Sequence, residues 1–301
     1  AANGLGRSIR LSCNRKSNHS WIGLNPFLPA GTCQSSPDES CDRIWFRIPH
    51  EMIMSLRSPL FMITFYVSLL VWVIAGLPVL ILPRICMIFF ARYWSLYFLW
   101  LCRVVGGLDV EIRGRENIPA GPLLVASKHQ SVWETFALLS IFSDPCFILK
   151  RELTFIPFFG WYLFKLRNVP IDRKAGSRAL VKIIRAAHKE IRVGRGRQIL
   201  FFPEGTRRPP GAPPEYRHGI AQVYSGLDVP CLPIGLNAGL YWPRRSLKLR
   251  TGKVIVEILP PIPPGLDRAV FFARMQDEIE QSSNRLLAEG RAALDATTLS
   301  R

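Results

Sequence analysis

From Ser58 to Pro83 the chain runs for 26 residues without a charged side chain, between Arg57 and Arg84. A helix needs about 20 apolar residues to cross the hydrocarbon of a bilayer, so this stretch is long enough to insert. It is too long for the core of a signal peptide and carries no A-x-A cleavage site, so it is expected to be retained. A buried helix of a soluble domain rarely goes so far without a charge. Pro78 and Pro83 leave open a re-entrant hairpin in place of a straight span.

The segment that follows extends this reading. At about 100° per residue, Arg84, Arg92, Ser95 and Arg103 fall within roughly one 100° sector of a helix. Aromatic and aliphatic residues, among them Phe89, Tyr93, Trp94 and Phe98, occupy the remaining surface, which predicts a helix lying in the membrane interface. Residues 52–106 therefore read as membrane-anchoring helices, with basic flanks on both sides that leave orientation open. Residues 1–51 are polar, rich in Ser, Asn and Pro, and without amphipathic period. With Met52 and Met54 directly before the apolar run, they are expected to be a disordered extension or a mis-assigned leader.

Residues 107–301 read as an α/β domain, a mixed sheet flanked by helices. Apolar runs at Leu123–Ala126, Phe147–Leu149, Val169–Ile171, Ile199–Phe202, Leu232–Leu236 and Val254–Leu259 predict strands. A helix over about Lys174–Val193 places Leu180, Ile183, Ile184, Ala187 and Ile191 on one face and Arg178, Lys182, Arg185, Lys189 and Arg192 on the other. That basic stripe reads as a solvated face, with a dock for an acidic carrier protein or anionic headgroups as its functional alternative. A last helix, about Asp267–Glu289, is expected to pack through Phe272, Met275, Ile279 and Leu286.

The formal charge of +17 calls for an anionic partner. Seven scattered cysteines without C-x-x-C fit a reducing compartment rather than a disulfide framework. His19, His50, His188 and His218 stand alone, without the spacing of metal ligands, so no metal and no cofactor is expected.

Two polar stretches stand at predicted strand ends. In Lys128-His129-Gln130-Ser131-Val132-Trp133-Glu134, Ser131 and Glu134 have capping-box spacing for a helix over Val132–Leu139, which sets His129 on a strand-to-helix turn. Such turns face the ligand crevice of an open α/β sheet. There Glu134 can hold one imidazole nitrogen of His129 and leave the other to take a proton; alternatively it only caps its helix. Phe201-Phe202-Pro203-Glu204-Gly205-Thr206-Arg207-Arg208 follows another strand. Pro203 and Gly205 force a turn that frees backbone N–H groups beside two arginines, and the loop reads as an anion site or, more blandly, a solvated turn. Further basic clusters, Lys150-Arg151-Glu152 and Asp172-Arg173-Lys174, also follow strands.

Taken in order, these stretches resemble the glycerolipid acyltransferases, particularly the bacterial 1-acyl-sn-glycerol-3-phosphate acyltransferases. Their first block, a histidine followed after four residues by an acid, is similar to His129 and Glu134. The second is similar to Lys150–Leu153, Pro157–Gly160 and Val169–Arg173, the third to Phe202–Arg207, and the fourth to Val229–Pro233. The resemblance covers about residues 60–287. This chain departs from it at Glu134, where the family has Asp, and at Lys128, where the family has Asn. Lys128 then reads either as a further phosphate contact or as the mark of a different acceptor headgroup.

The resemblance implies an O-acyltransferase that moves a fatty acyl group from acyl-carrier protein or acyl-CoA to the sn-2 hydroxyl of lysophosphatidic acid, giving phosphatidic acid. It makes His129 the general base and Glu134 its orienting acid. It assigns the acceptor phosphate to Lys150, Arg173 and Arg207, with Glu204, Gly205 and Thr206 shaping that pocket. It implies a bacterial inner-membrane enzyme working on the cytoplasmic side, with the bilayer as partner and no nucleic acid. The enzymatic alternative is another lysolipid acceptor such as a lyso-ornithine lipid. The alternative of another class is a non-catalytic basic membrane or nucleic-acid binder, against which stands the distribution of basic residues over strand ends and separate helices.

Overall fold

A computed structural model describes residues 50–172, 176–193 and 196–299. The expected extension up to residue 49 and the candidate phosphate ligand Arg173 lie outside the described residues.

The sheet grows outward from β2 (Leu123–Ser127), which is buried along its whole length. Continuous burial of Leu-Leu-Val-Ala suits a strand covered on both faces, as the middle of a parallel sheet requires. Around it lie β1 (Leu108–Arg113), β3 (Pro145–Lys150), β4 (Val169–Ile171), β5 (Gln198–Phe201), β6 (Cys231–Leu236) and β7 (Gly252–Ile258), in the order β1-β7-β6-β2-β5-β3-β4. Every pairing is parallel except β6 with β7, so the sheet is mixed. Of the strands, β1 is absent from the sequence expectation, although Leu-Asp-Val-Glu-Ile-Arg alternates with period two as an edge strand should. It ends at Gly114, whose φ of +73° and 2.1 Å separation between a would-be Cβ and the Ile258 carbonyl oxygen admit only glycine.

Two apolar clusters fill the two sides of the sheet. On one side, α5 (Gly176–Val193), α6 (Gly219–Leu227) and α8 (Arg268–Leu299) pack on Leu124, Ile199 and Cys231 through Ile183, Ala187, Val223, Met275 and Ile279. In α8 the core seat expected for Phe272 belongs to Phe271, which stacks on Tyr224 with ring centroids 3.7 Å apart, while Phe272 lies against His218. The helix also runs ten residues beyond the expected end at Glu289, to Leu299.

On the other side lie α3 (Trp133–Ile141) and the apolar N-terminal pair, α1 (His50–Ala75) and α2 (Arg84–Leu101). The uncharged run is thus not one helix. It breaks over Gly76–Pro83, where Pro78 opens a short 3-10 turn and Pro83 precedes α2. Phe65 of α1 meets Phe98 of α2, Phe136 of α3 and Trp242 edge-on, Phe61 meets Trp242 edge-on, and Phe98 stacks on Phe136. Burying Phe61, Phe98 and Leu101 contributes about 1.5–3 kcal/mol each. Leu56–Ala75 and Arg84–Gly106 are each long and apolar enough to cross a membrane, and both keep most of their surface outside the protein core.

The polar sector expected along α2 is split by this packing. Ser95 is fully buried and donates to the Phe136 carbonyl oxygen, and Arg84 pairs with Asp144, whereas Arg92 and Arg103 are exposed. The outward face is instead apolar, with Ile85, Phe89, Tyr93, Leu96 and Trp100 exposed. A helical wheel alone cannot see that α3 offers Ser95 a carbonyl and that Asp144 offers Arg84 a charge.

Candidate active site

His129 leaves the C-terminal end of β2 two residues after Ser127, at the centre of the sheet. On one side the chain continues through α3 to β3, and on the other β5 leads through α6 to β6, so the turn sits where the connections diverge. The turn is held by a carboxylate from within. Glu134 is fully buried, and its Oε1 accepts the backbone N–H groups of Gln130 and Ser131, each at 2.8 Å. The same oxygen lies 2.8 Å from His129 Nδ1. Half of the expected capping box forms in this way, while Ser131 Oγ accepts from the Trp133 N–H rather than from that of Glu134. Capping and holding the imidazole, the two roles left open by the sequence, are performed by one carboxylate oxygen.

A carboxylate can only accept, so the tautomer of the neutral imidazole that this contact selects has the proton on Nδ1 and the lone pair on Nε2. The ring is stacked on Phe202 at 4.1 Å, which fixes its plane, and Nε2 makes no hydrogen bond among the described residues. His129 lines a cavity of about 710 Å³ whose remaining wall is mostly apolar. Met62, Phe65 and Val73 of α1, Met87 and Phe90 of α2, and Tyr162 of α4 (Phe159–Lys165) belong to that wall.

The second buried carboxylate, Glu204, works from below. Its Oε2 accepts the His129 backbone N–H at 2.8 Å, and its Oε1 is 2.9 Å from Lys128 Nζ. Lys128 is itself buried and also pairs with Glu280 of α8, which accepts from Tyr216 Oη at 2.8 Å. Burial pushes the Glu204 carboxyl above its ordinary range by more than Lys128 and the His129 N–H draw it down. Lys128 is therefore spent on two carboxylates under the turn and is not presented to the cavity as a phosphate contact.

The other predicted residues divide between cavity and support. Lys150, at the end of β3, lines the cavity and stands 3.1 Å from Glu152. Arg207 also lines it, half-buried, and burial lowers its guanidinium from the ordinary value, with Glu134 countering and Arg244 reinforcing the effect. Glu204, Gly205 and Thr206 are not among the lining residues. They make the turn that delivers Arg207: Gly205 has φ +66° and donates its N–H to the Phe202 carbonyl. The Arg208 N–H donates to the His129 carbonyl at 2.8 Å, so the two polar stretches are joined through their backbones.

Sequence reasoning missed Arg244 and Arg245, which line the cavity from the turn after α7 (Ala238–Tyr241). Trp242-Pro243-Arg244-Arg245 is another basic cluster beyond a strand, but the single helical turn of α7 separates it from β6 and hides the pattern. Arg244 Nη1 donates to the Arg207 carbonyl at 3.1 Å, and Gly239 of α7 donates to Gln130 Oε1 at 3.0 Å. No group of His, Cys, Asp and Glu suited to a metal ion occurs among the described residues. What the site offers is an oriented base, a basic rim and an apolar chamber.

Residues 109–237 match the family model described as Acyltransferase. The chain is 38% identical over 243 residues to 1-acyl-sn-glycerol-3-phosphate acyltransferase of Pseudomonas aeruginosa, covering 79% of this chain and 92% of that protein. It is 30% identical to lyso-ornithine lipid O-acyltransferase of the same organism, covering 60% of this chain and 75% of that protein. The crystal structure of the 1-acyl-sn-glycerophosphate (LPA) acyltransferase PlsC from Thermotoga maritima superposes with a TM-score of 0.65 at 23% identity, over 77% of this chain and 97% of that one. It shares the fold.

Proposed function

Since the chain belongs to the acyltransferase family, we propose that it transfers a fatty acyl group from a thioester, acyl-carrier protein or acyl-CoA, to the free sn-2 hydroxyl of lysophosphatidic acid, giving phosphatidic acid. The observation that carries this reading is the His129–Glu134 contact at 2.8 Å, which engages Nδ1 and leaves Nε2 free on a residue that lines a mostly apolar chamber. Nε2 takes the proton of the acceptor hydroxyl as its oxygen attacks the thioester carbonyl. The C–S bond then breaks, and the imidazolium returns its proton to the departing thiolate. Glu134 stabilises the imidazolium in between. Positioned base catalysis of this kind contributes ~10²–10⁴-fold, and the remainder comes from holding both substrates together.

Arg207 and Lys150 hold the acceptor phosphate, Arg207 as a fork and Lys150 as a mobile point charge. Arg173 is retained as a third candidate on sequence grounds alone. The outward apolar faces of α1 and α2 rest in a bilayer, in keeping with a bacterial inner-membrane enzyme whose site faces the cytoplasm. Residues 52–106 would be its anchor, and 107–301 its catalytic domain.

A second acceptor reading, a lyso-ornithine lipid, rests on the relative of that name and on the departure at Lys128. The burial of Lys128 weakens the second ground. The test is acyl transfer by the reconstituted protein and by His129→Ala, with both acceptors and both donors. Transfer to lysophosphatidic acid that the variant loses is the expected result; transfer only to lyso-ornithine lipid would keep the mechanism and replace the acceptor.

A further inference from the structure

A second cleft, of about 550 Å³, lies beside the first, between the Pro209-Pro210 turn, the loop after α7 and the C-terminal part of α8. Its charged lining is Arg244, Arg250 and Arg291 against a single carboxylate, Asp295. All three arginines are exposed, and none is in an ion pair among the described residues. Elsewhere among the described residues Arg113, Arg197, Arg208 and Arg285 each hold a carboxylate. Three guanidinium groups without a carboxylate partner around one concave space offer forked donors that an anion with several oxygens can bridge.

Its position relates the cleft to the reaction. Arg244 lines both cavities, so the two meet at that side chain. The floor of the cleft at Gly239 touches Gln130, the residue next to the base. A Cβ on Gly239 would stand 2.8 Å from both Gln130 Cβ and Pro210 Cγ, and the Gly239 N–H donates to Gln130 Oε1. One route therefore leads from the apolar chamber, past His129 and over Arg244, into a basic cleft. A ligand that follows it has an acyl chain at one end, a reactive carbonyl in the middle and an anion at the far end.

We propose that this cleft binds the phosphate at the distal end of the pantetheine arm of the acyl-thioester donor. The inference rests on the proposed acyl transfer from a thioester. It assigns Arg250 and Arg291, with Arg244 at the threshold, to the donor, and leaves Arg207 and Lys150 to the acceptor. Acyl-CoA and acyl-carrier protein both carry that phosphate, CoA with further phosphates on its nucleotide.

The test is the double variant Arg250→Gln/Arg291→Gln of the full chain in lipid nanodiscs, compared with wild type on acyl-CoA, on acyl-carrier protein and on the phosphate-free thioester acyl-N-acetylcysteamine. The ratio of kcat/KM for the phosphorylated donor over that for the phosphate-free donor is expected to fall at least tenfold, with the loss in donor KM. A fall with both natural donors identifies the shared phosphate, and a fall with one identifies its source. An equal loss on all three donors, or a rise confined to the KM of lysophosphatidic acid, would overturn the assignment. Binding of free CoA to the same proteins, by calorimetry, reads the site without turnover: at least tenfold weaker binding by the variant is expected, and equal binding, or none by either protein, counts against it. If CoA binds but wild type transfers no acyl group from any donor, the proposed reaction fails while the cleft stands.

Discussion

Two buried glutamates grip the same turn, and they are satisfied by different means. Glu134 faces the reacting side and is surrounded by backbone N–H groups and the His129 ring. Glu204 faces the interior and is matched with Lys128, which Glu280 shares. Backbone dipoles stabilise a carboxylate without supplying a full positive charge, so in the proposed mechanism Glu134 keeps its field for the charge that would appear on His129. A lysine beside it would compete with the imidazolium. Below the turn no charge changes, and a fixed ion pair serves.

Glu134→Gln should divide these roles most sharply. The amide oxygen of the variant can still accept a backbone N–H but cannot stabilise an imidazolium, so kcat/KM should fall ~10²–10⁴-fold with little change in the denaturation midpoint. Glu204→Gln should invert the outcome. It leaves Lys128 buried with one carboxylate in place of two, and breaking a buried pair costs up to about 3–5 kcal/mol, measurable by denaturant titration. Lys128→Met in that background should restore part of the loss, because the two side chains are coupled and their effects do not add. A large stability loss in the first variant, or none in the second, would break the contrast.

Arg207→Gln removes the half-buried cation on the Glu134 side. An acceptor KM raised about 10–100-fold is expected from losing charge-assisted hydrogen bonds worth about 1.5–3 kcal/mol, with a much smaller change for the donor. The mildest effect belongs to carboxylates held at the surface. Arg113 bridges Glu111 of β1 and Glu289 of α8, and its hydrogen bonds hold both carboxyls below the ordinary range. Their contribution is present above the unfolded-state carboxylate pKa and is lost as pH falls through the lowered folded values. Since both carboxylates are more than a third exposed, it should amount to about 0.2–1 kcal/mol, and acid titration of Arg113→Gln should show that increment missing near neutral pH and the difference vanishing in acid.

The sequence made the turn of the candidate site legible because its contacts are local. Glu134 reaches His129, Gln130 and Ser131 within five residues, and Pro203 with Gly205 announces the loop that brings Arg207. β2 and β5 were readable from apolar runs, since burial on both faces leaves no other pattern. What failed was non-local. Lys128 looked available for phosphate until Glu280, 152 residues on, was brought beside it by α8. Ser95 looked wet until α3 covered it. Arg244 and Arg245 carried no signal of their own because only the fold brings their turn back to Gln130 and Arg207. β1 is a different case: its period-two alternation is local, but it lacks the long apolar run that marks the inner strands.

The cavity wall formed by α1 and α2 has a further consequence. Met62 and Phe65 look inward from the helix whose Ile63, Val67 and Leu70 look outward, and Met87 and Phe90 do the same opposite Phe89 and Tyr93. A fragment beginning after residue 106 would thus lose more than its proposed anchor: it would lack one wall of the chamber proposed for the acyl chain. On the proposal that the outward faces of these helices rest in lipid, compounds that wedge between them from that side would reach the chamber without passing its aqueous mouth.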